Sequence, residues 1–248
     1  FCNRARQDPN QRYALFIDEI NRGNISRIFG ELITLIEADK RAWWDEEGQL
    51  VDGMEITLPY SGERFGVPKN LDIYATMNTA DRSIALMDAA LRRRFRFIEL
   101  MPEPKQITGN QGDGYIPDGE GGLLSLRDLL NAINLRLRYL LHRDQTFGHA
   151  YFMEVKDIDS LRHAMVYDII PMLAEYFYDD WQQIRRVLAD DTAPAEHQII
   201  TRKILDPGQL FAGAEVDLPE KPDFRVKQPG EITPDALRKI YDSLEMPA

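Results

Sequence analysis

Cysteine is nearly absent: Cys2 is the single one in 248 residues. One thiol can build neither an internal disulfide framework nor a cysteine-based zinc cluster, which fits a reducing cytoplasm. No apolar run approaches the ~20 residues that span a bilayer, and no secretory leader precedes the first apolar run. The expectation is a cytoplasmic chain with no membrane association. A basic excess is missing too, since 30 Lys and Arg face 41 Asp and Glu for a net charge of −11. An acidic chain is a poor non-specific DNA binder, so any nucleic-acid contact is expected to be local or to belong to another domain. His142, His163 and His197 lack metal-ligand spacing, and Cys2 has no neighbour that would make it a nucleophile. The first residue is Phe rather than Met, so the chain is read as a piece of a longer protein. Its 44% apolar and 29% charged content is that of a globular protein. The length suits one large domain, or a core with a smaller appended domain.

The most informative stretch is Tyr13-Ala14-Leu15-Phe16-Ile17-Asp18-Glu19-Ile20-Asn21-Arg22. Five apolar residues run straight into two carboxylates, which reads as a parallel-sheet strand covered on both faces. Ligands of open α/β sheets lie beyond the carboxyl ends of the strands, where Asp18 and Glu19 would stand. Adjacent carboxylates there suit nucleoside-triphosphate hydrolysis, the first holding Mg²⁺ through its water and the second orienting the attacking water. The plainer alternative is a strand that ends in a solvated acidic turn.

In chain order, residues 1–6 read as the end of a helix stopped by Asp8-Pro9-Asn10. Ser26 is the expected N-cap of a helix bearing Ile28, Leu32, Leu35 and Ile36 and ending near 38–40. Trp43 and Trp44 open a polar turn, Asp45-Glu46-Glu47-Gly48, without calcium-loop spacing. Two β-type runs over 55–59 and 64–67 predict an inserted hairpin. A second core strand over 71–77 also ends in a polar cluster, beginning at Asn78. A helix over 83–91 then enters Arg92-Arg93-Arg94 and a third strand over 95–100. Strand and helix alternate, the pattern of an α/β sheet. The glycine-rich run 108–122 reads as a flexible connection. Beyond it, helical spacing joins Leu126, Leu129, Leu130, Ile133 and Leu137, then Leu161, Met165, Ile169 and Leu173, with Pro171 expected to kink or restart the second pattern. The tail is expected to hold one short helix, capped by Thr233 ahead of Pro234. The domains expected are an α/β segment over 1–104, an all-helical domain over 105–190 and an extension of unassigned order over 191–248.

Asp18, Glu19, Asn78 and the arginine triplet all stand at or near strand ends. A strand-end amide can hold an attacking water opposite a γ-phosphate, and an arginine can neutralise transition-state charge. On these residues the sequence resembles the AAA+ NTPases, with Asp18-Glu19 matching Walker B, Asn78 matching sensor 1 and the arginines at the arginine-finger position. The likeness narrows on Ile17-Asp18-Glu19-Ile20-Asn21-Arg22, Met77-Asn78-Thr79-Ala80-Asp81-Arg82-Ser83, Ala90-Leu91-Arg92-Arg93-Arg94-Phe95 and Gly148-His149-Ala150-Tyr151-Phe152. Together these resemble the McrB family, the GTP-dependent motor subunits of modified-cytosine restriction systems, over residues 1–190.

The resemblance implies an α/β fold, a partial P-loop NTPase (AAA+) parallel-sheet core followed by an all-helical lid. It implies Mg²⁺ with GTP or ATP as substrate, a homo-oligomeric ring of six, a McrC-like nuclease subunit, and DNA bound through a separate domain outside this chain. It assigns the attacking water to Glu19 and Asn78, Mg²⁺ through water to Asp18, and action on a neighbour's nucleotide to Arg93, with Arg94 second. Asn21, Asp81 and Arg82 are placed on the nucleotide side. Plainer readings stand beside these: Asn78 as a helix cap, Asp81 and Arg82 as a surface ion pair or intersubunit contact, Arg22 at a helix entry or facing the next subunit, and His149 packed in the lid core. Two departures stand out. The phosphate-cradling loop G-x-x-x-x-G-K-[ST] occurs nowhere in the 248 residues, and Ala150 takes the place of a family Ser. In the implied sheet order the strand bearing that loop lies between 71–77 and 95–99, which without it should stand ~9–10 Å apart with unpaired edges. The rival readings are an ATP-driven remodelling or chaperone ATPase of the same clade, and an AAA-like scaffold that assembles without catalysis.

Overall fold

A computed structural model describes residues 1–78, 89–211, 219–242 and 244. The chain divides into two compact units, Phe1–Glu99 and Leu100–Ala248.

In the first unit α1 (Cys2–Gln7) precedes β1 (Tyr13–Ile17). The next helix, α2 (Ile25–Phe29), is capped by Asn24 rather than by Ser26, the Asn24 side chain accepting the Arg27 N–H at 3.0 Å. It is also shorter than the apolar spacing suggested. Gly30 sits at φ 50, a conformation that ends a helix, and residues Gly30–Ile36 continue as 3₁₀ turns that still bury Leu35 and Ile36. Two antiparallel hairpins follow. In the first, β2 (Trp43–Trp44) pairs with β3 (Leu50–Asp52) around the acidic turn; in the second, β4 (Ile56–Thr57) pairs with β5 (Arg64–Phe65) as the sequence predicts. Then β6 (Leu71–Ala75) runs parallel to β1, with Tyr13 opposite Leu71 and Ile17 opposite Ala75. A helical turn, α3 (Ala89–Arg92), is the last described element of this unit.

Alternation along β1 sends Tyr13 and Leu15 to a cluster built on Ala5, Leu35, Val67 and Leu71, while Ile17 joins Ile20, Ile25 and Leu91. The half-buried Arg41 guanidinium, its pKa lowered by desolvation, donates to Ile36 O at 2.9 Å and Leu71 O at 2.7 Å, fixing the 3₁₀ segment to the start of β6. The expectation that β1 is covered on both faces is not met. On its other face Phe16 is 75% exposed and stacks at 5.3 Å on Tyr74, which is 53% exposed. Among the described residues the sheet has only these two strands. The third strand expected over 95–100 is also absent. Residues 95–100 form no ladder, and Phe97, Ile98 and Leu100 are exposed. An apolar run becomes a strand only when a neighbour takes its backbone hydrogen bonds.

The second unit opens where a flexible connection was expected, and the structure there is a hairpin of β7 (Tyr115–Pro117) and β8 (Leu123–Ser125). Its glycines meet local demands. Gly109 has φ 62, and a Cβ there would lie 2.4 Å from Tyr115 O, so no other residue fits. The Asp118 carboxylate, buried in the turn, accepts the Glu120 and Gly122 N–H groups at 2.8 Å each and Arg238 Nη2 at 2.7 Å. Those bonds hold Asp118 below the usual carboxylate range, the Glu120 amide foremost.

Next come α4 (Leu126–Leu140), capped by Ser125, then α5 (Ala150–Met153) and α6 (Ile158–Ala164), capped by Asp157. A π turn at Met165–Ile169 joins α6 to α7 (Ile170–Tyr176). The Ile170 N–H reaches back five residues to Met165 O, and the widened turn seats Pro171, which has no N–H to give, without breaking the rod. After α8 (Trp181–Val187) the chain continues into β9 (Ile200–Leu205), α9 (Pro207–Leu210), β10 (Lys221–Val226) and α10 (Pro234–Asp242), with β9 and β10 antiparallel. Thr233 caps α10 as predicted, its hydroxyl accepting the Ala236 N–H at 3.2 Å. Ile199, Ile200, Ile232, Leu237 and Ile240 are fully buried in the same core as Leu130, Ile133 and Leu137. Asp190, also fully buried, accepts Ile199 N at 2.9 Å, Ile200 N at 2.7 Å and Lys239 Nζ at 2.8 Å. Burial lowers the Lys239 ammonium pKa, against the pull of Asp190. Among the described residues this unit therefore carries two antiparallel strand pairs besides its helices, and residues beyond 190 join its core. Among the described residues no helix is long and apolar enough to cross a membrane.

Candidate active site

The parallel pairing of β1 and β6 brings Asp18 and Glu19 to the same sheet end as Thr76, Met77 and Asn78. The ladder continues past both strands. Thr76 N–H donates to Ile17 O at 3.0 Å and Ile20 N–H donates to Thr76 O at 2.9 Å. Between these two bonds the Thr76 hydroxyl accepts the Glu19 N–H at 2.9 Å and donates to the Asp18 carboxylate. Glu19 occupies the left-handed region at φ 49, ψ 51, a conformation unusual for a residue with a Cβ. A 3₁₀ turn, Ile20–Arg22, starts there, and Arg22 folds back so that its guanidinium meets the Glu19 carboxylate. Asn21 is buried under the turn and its Nδ2 donates to Asn78 O at 3.0 Å, whereas its Oδ1 is buried with no partner among the described residues. The two strand ends are thus stitched together along their backbones, with Asp18 and Asn78 exposed at the rim.

Of the residues singled out in the sequence, Asp18, Glu19, Asn21 and Asn78 converge here. Asn21 spends its amide N–H on the Asn78 backbone, and Arg22 faces Glu19 within its own chain. Asp81 and Arg82 lie outside the described residues. The triplet divides. The Arg92 guanidinium lies 5.8 Å over the Phe97 ring, Arg93 is exposed, and Arg94 is buried against Glu37 at 2.6 Å. Thr76 and Glu37 were not singled out. Thr76 stands opposite Asp18 only once the register is known, and Glu37 lies in a loop far from Arg94 in sequence. His149 is half-buried, with Nδ1 accepting the Glu103 N–H at 3.1 Å, and beside it the Asn134 amide grips Phe147 N and O at 2.7 and 2.9 Å. Burial pushes the Cys2 thiol up, away from the reactive thiolate.

For a divalent cation the donor chemistry is hard oxygen. Asp18 is an exposed strand-end carboxylate, and among the described residues no group of three or more His, Cys, Asp or Glu could hold a metal by itself. One carboxylate fits Mg²⁺, which keeps most of its waters and takes further ligands from substrate phosphates; it does not fit a structural metal cage.

Residues 3–95 match the AAA domain of the dynein-related subfamily, and residues 125–185 match the McrB alpha-helical lid domain. The chain is McrB-like, an AAA+ segment followed by a McrB-type lid. It is 36% identical over 192 residues to the type IV methyl-directed restriction enzyme EcoKMcrB subunit of Escherichia coli K12, covering 73% of this chain and 40% of that protein. It is 27% identical over 156 residues to the type II restriction enzyme BsuMI component YdiS of Bacillus subtilis 168, covering 61% of this chain and 45% of that protein. The chain thus spans less than half the length of either relative. The expected architecture, a partial AAA+ core with a helical lid behind it, holds for this McrB-like chain.

Proposed function

We propose that this McrB-like chain carries the hydrolytic end of a nucleoside-triphosphate site, with GTP the favoured substrate, and that the intact protein is the motor of a DNA restriction complex. The observation that carries the reading is the joining of two parallel strand ends, Asp18-Glu19 on β1 and Asn78 beyond β6, by the Asn21 side chain and Thr76. In this reading Asp18 would hold Mg²⁺ through water, and the chemistry supplied there would be neutralisation of phosphate charge. Glu19 and Asn78 orient the attacking water, Glu19 accepting its proton once the carboxylate turns from Arg22. Exposed Arg93 reaches a neighbouring subunit's nucleotide in a six-membered homo-oligomeric ring, while Arg94 stays with Glu37. The ring drives a McrC-like nuclease in the cytoplasm, and DNA is read by a separate domain.

Replacing Glu19 by Gln in the intact protein tests this. Nucleotide affinity and assembly should persist while turnover falls by about 10²-fold or more, because the base is lost and the binding contacts are not. Turnover near that of the wild type would overturn the assignment. Running the assay with GTP against ATP decides the base preference.

A further inference from the structure

Thr76 contacts four consecutive residues of the facing strand end: Ile17 through its N–H, Asp18 and Glu19 through its hydroxyl, and Ile20 through its carbonyl. We propose that the Thr76 hydroxyl is the positioning group of this site, holding Asp18 and Glu19 in their working directions, an inference that rests on the hydrolytic reading of that site.

A strand sends successive side chains to opposite faces, so β1 continued in register would throw the two carboxylates apart. Glu19 breaks that alternation by entering the left-handed region, a strained conformation for a residue that is not glycine. A strained residue persists only where its surroundings over-determine it. At Glu19 the N–H is taken by the Thr76 hydroxyl, and the next N–H, that of Ile20, by the Thr76 carbonyl. A hydroxyl has one proton and two lone pairs. The proton goes to Asp18 and a lone pair receives Glu19 N–H, so one oxygen fixes both the Asp18 carboxylate and the Glu19 backbone. Strand pairing does not need the hydroxyl, because the continuation of the ladder beyond Ile17 and Ala75 uses only the backbone N–H and carbonyl of Thr76. Thr76 is also exposed, so water could satisfy its hydroxyl if structure were the only demand. Asn21 repeats the pattern from below, linking the turn after Glu19 to the Asn78 carbonyl.

Two substitutions separate positioning from packing. Thr76→Val keeps shape and strand preference and removes the hydroxyl; Thr76→Ser keeps the hydroxyl. In the 248-residue chain, Thr76→Val should speed exchange of the Glu19 amide by about tenfold, with Thr76→Ser within about twofold of wild type. In the intact protein Thr76→Val should lower kcat by about tenfold or more with KM for GTP nearly unchanged, and Thr76→Ser should restore most of it. Unchanged kcat in Thr76→Val, a KM rise that accounts for the loss, or Thr76→Ser as impaired as Thr76→Val would each overturn the proposal. Glu19→Gln measured in parallel identifies which reading has failed. If Glu19→Gln is inactive and Thr76→Val is normal, only the positioning role falls; if Glu19→Gln turns over normally, both fall.

Discussion

Three arginines in succession, Arg92 to Arg94, meet three different surroundings, and the difference separates their roles. Arg94 is buried against Glu37, so Arg94→Ala leaves a half-buried carboxylate without its cation and should lower the stability of the first unit by about 1–3 kcal/mol in urea unfolding. Arg93 is exposed, and Arg93→Ala should leave that stability within about 0.5 kcal/mol of wild type. In the intact assembly Arg93→Ala should instead lower turnover by about 10³-fold, regained when it is mixed with a Glu19→Gln subunit, since each supplies what the other lacks. A stable Arg94→Ala with lost turnover, beside an active Arg93→Ala, would exchange the assignments. Asp18, Glu19, Asn78 and the triplet stand out as candidates in the sequence because each sits in a short run whose chemistry is local. Thr76 and the Arg94–Glu37 pair do not, because both depend on which residues the fold sets opposite one another.

Elements were legible where the signal was also local. β1, β6, α4 and the Thr233 cap of α10 follow from periodicity and capping chemistry. The stretch 95–100 has the composition of a strand but no described neighbour to pair with, and composition cannot supply one. The glycine-rich run looked loose, yet it folds because Asp118 gathers two turn amides and Arg238. That carboxylate titrates below its ordinary range, so its support is complete above the unfolded carboxylate pKa and is lost as pH falls through the lower folded value. Asp118→Asn should therefore destabilise the second unit at neutral pH and flatten the acid limb of its stability curve. Parallel acid limbs for the variant and wild type, read by urea unfolding from pH 7 down to pH 3, would remove Asp118 from that account.

At the scale of the molecule, each unit has its own core, and the core of the second does not stop at residue 190. Ile199, Ile200, Ile232, Leu237 and Ile240 each contribute about 1.5–3 kcal/mol by burial, together comparable to the ~5–15 kcal/mol that holds a domain folded. A fragment of residues 100–248 should give a cooperative thermal transition by circular dichroism, and one of residues 100–190 should not; a cooperative 100–190 fragment would make the later strands and helix an accessory. The sequence showed where helices lay in this half but not that Ile199, Ile200, Ile232, Leu237 and Ile240 join its core, because these apolar positions are spread between proline and glycine. The first unit has the opposite property, a bare sheet face bearing Phe16 and Tyr74. When many copies of this 248-residue chain share a solution, that face invites contact between like molecules, and eleven net negative charges oppose it over a Debye length of about 8–10 Å at ordinary salt. The acidic surplus thus acts as colloidal insulation, and added salt, usually a help to solubility, thins the layer that keeps one copy's aromatics from the next.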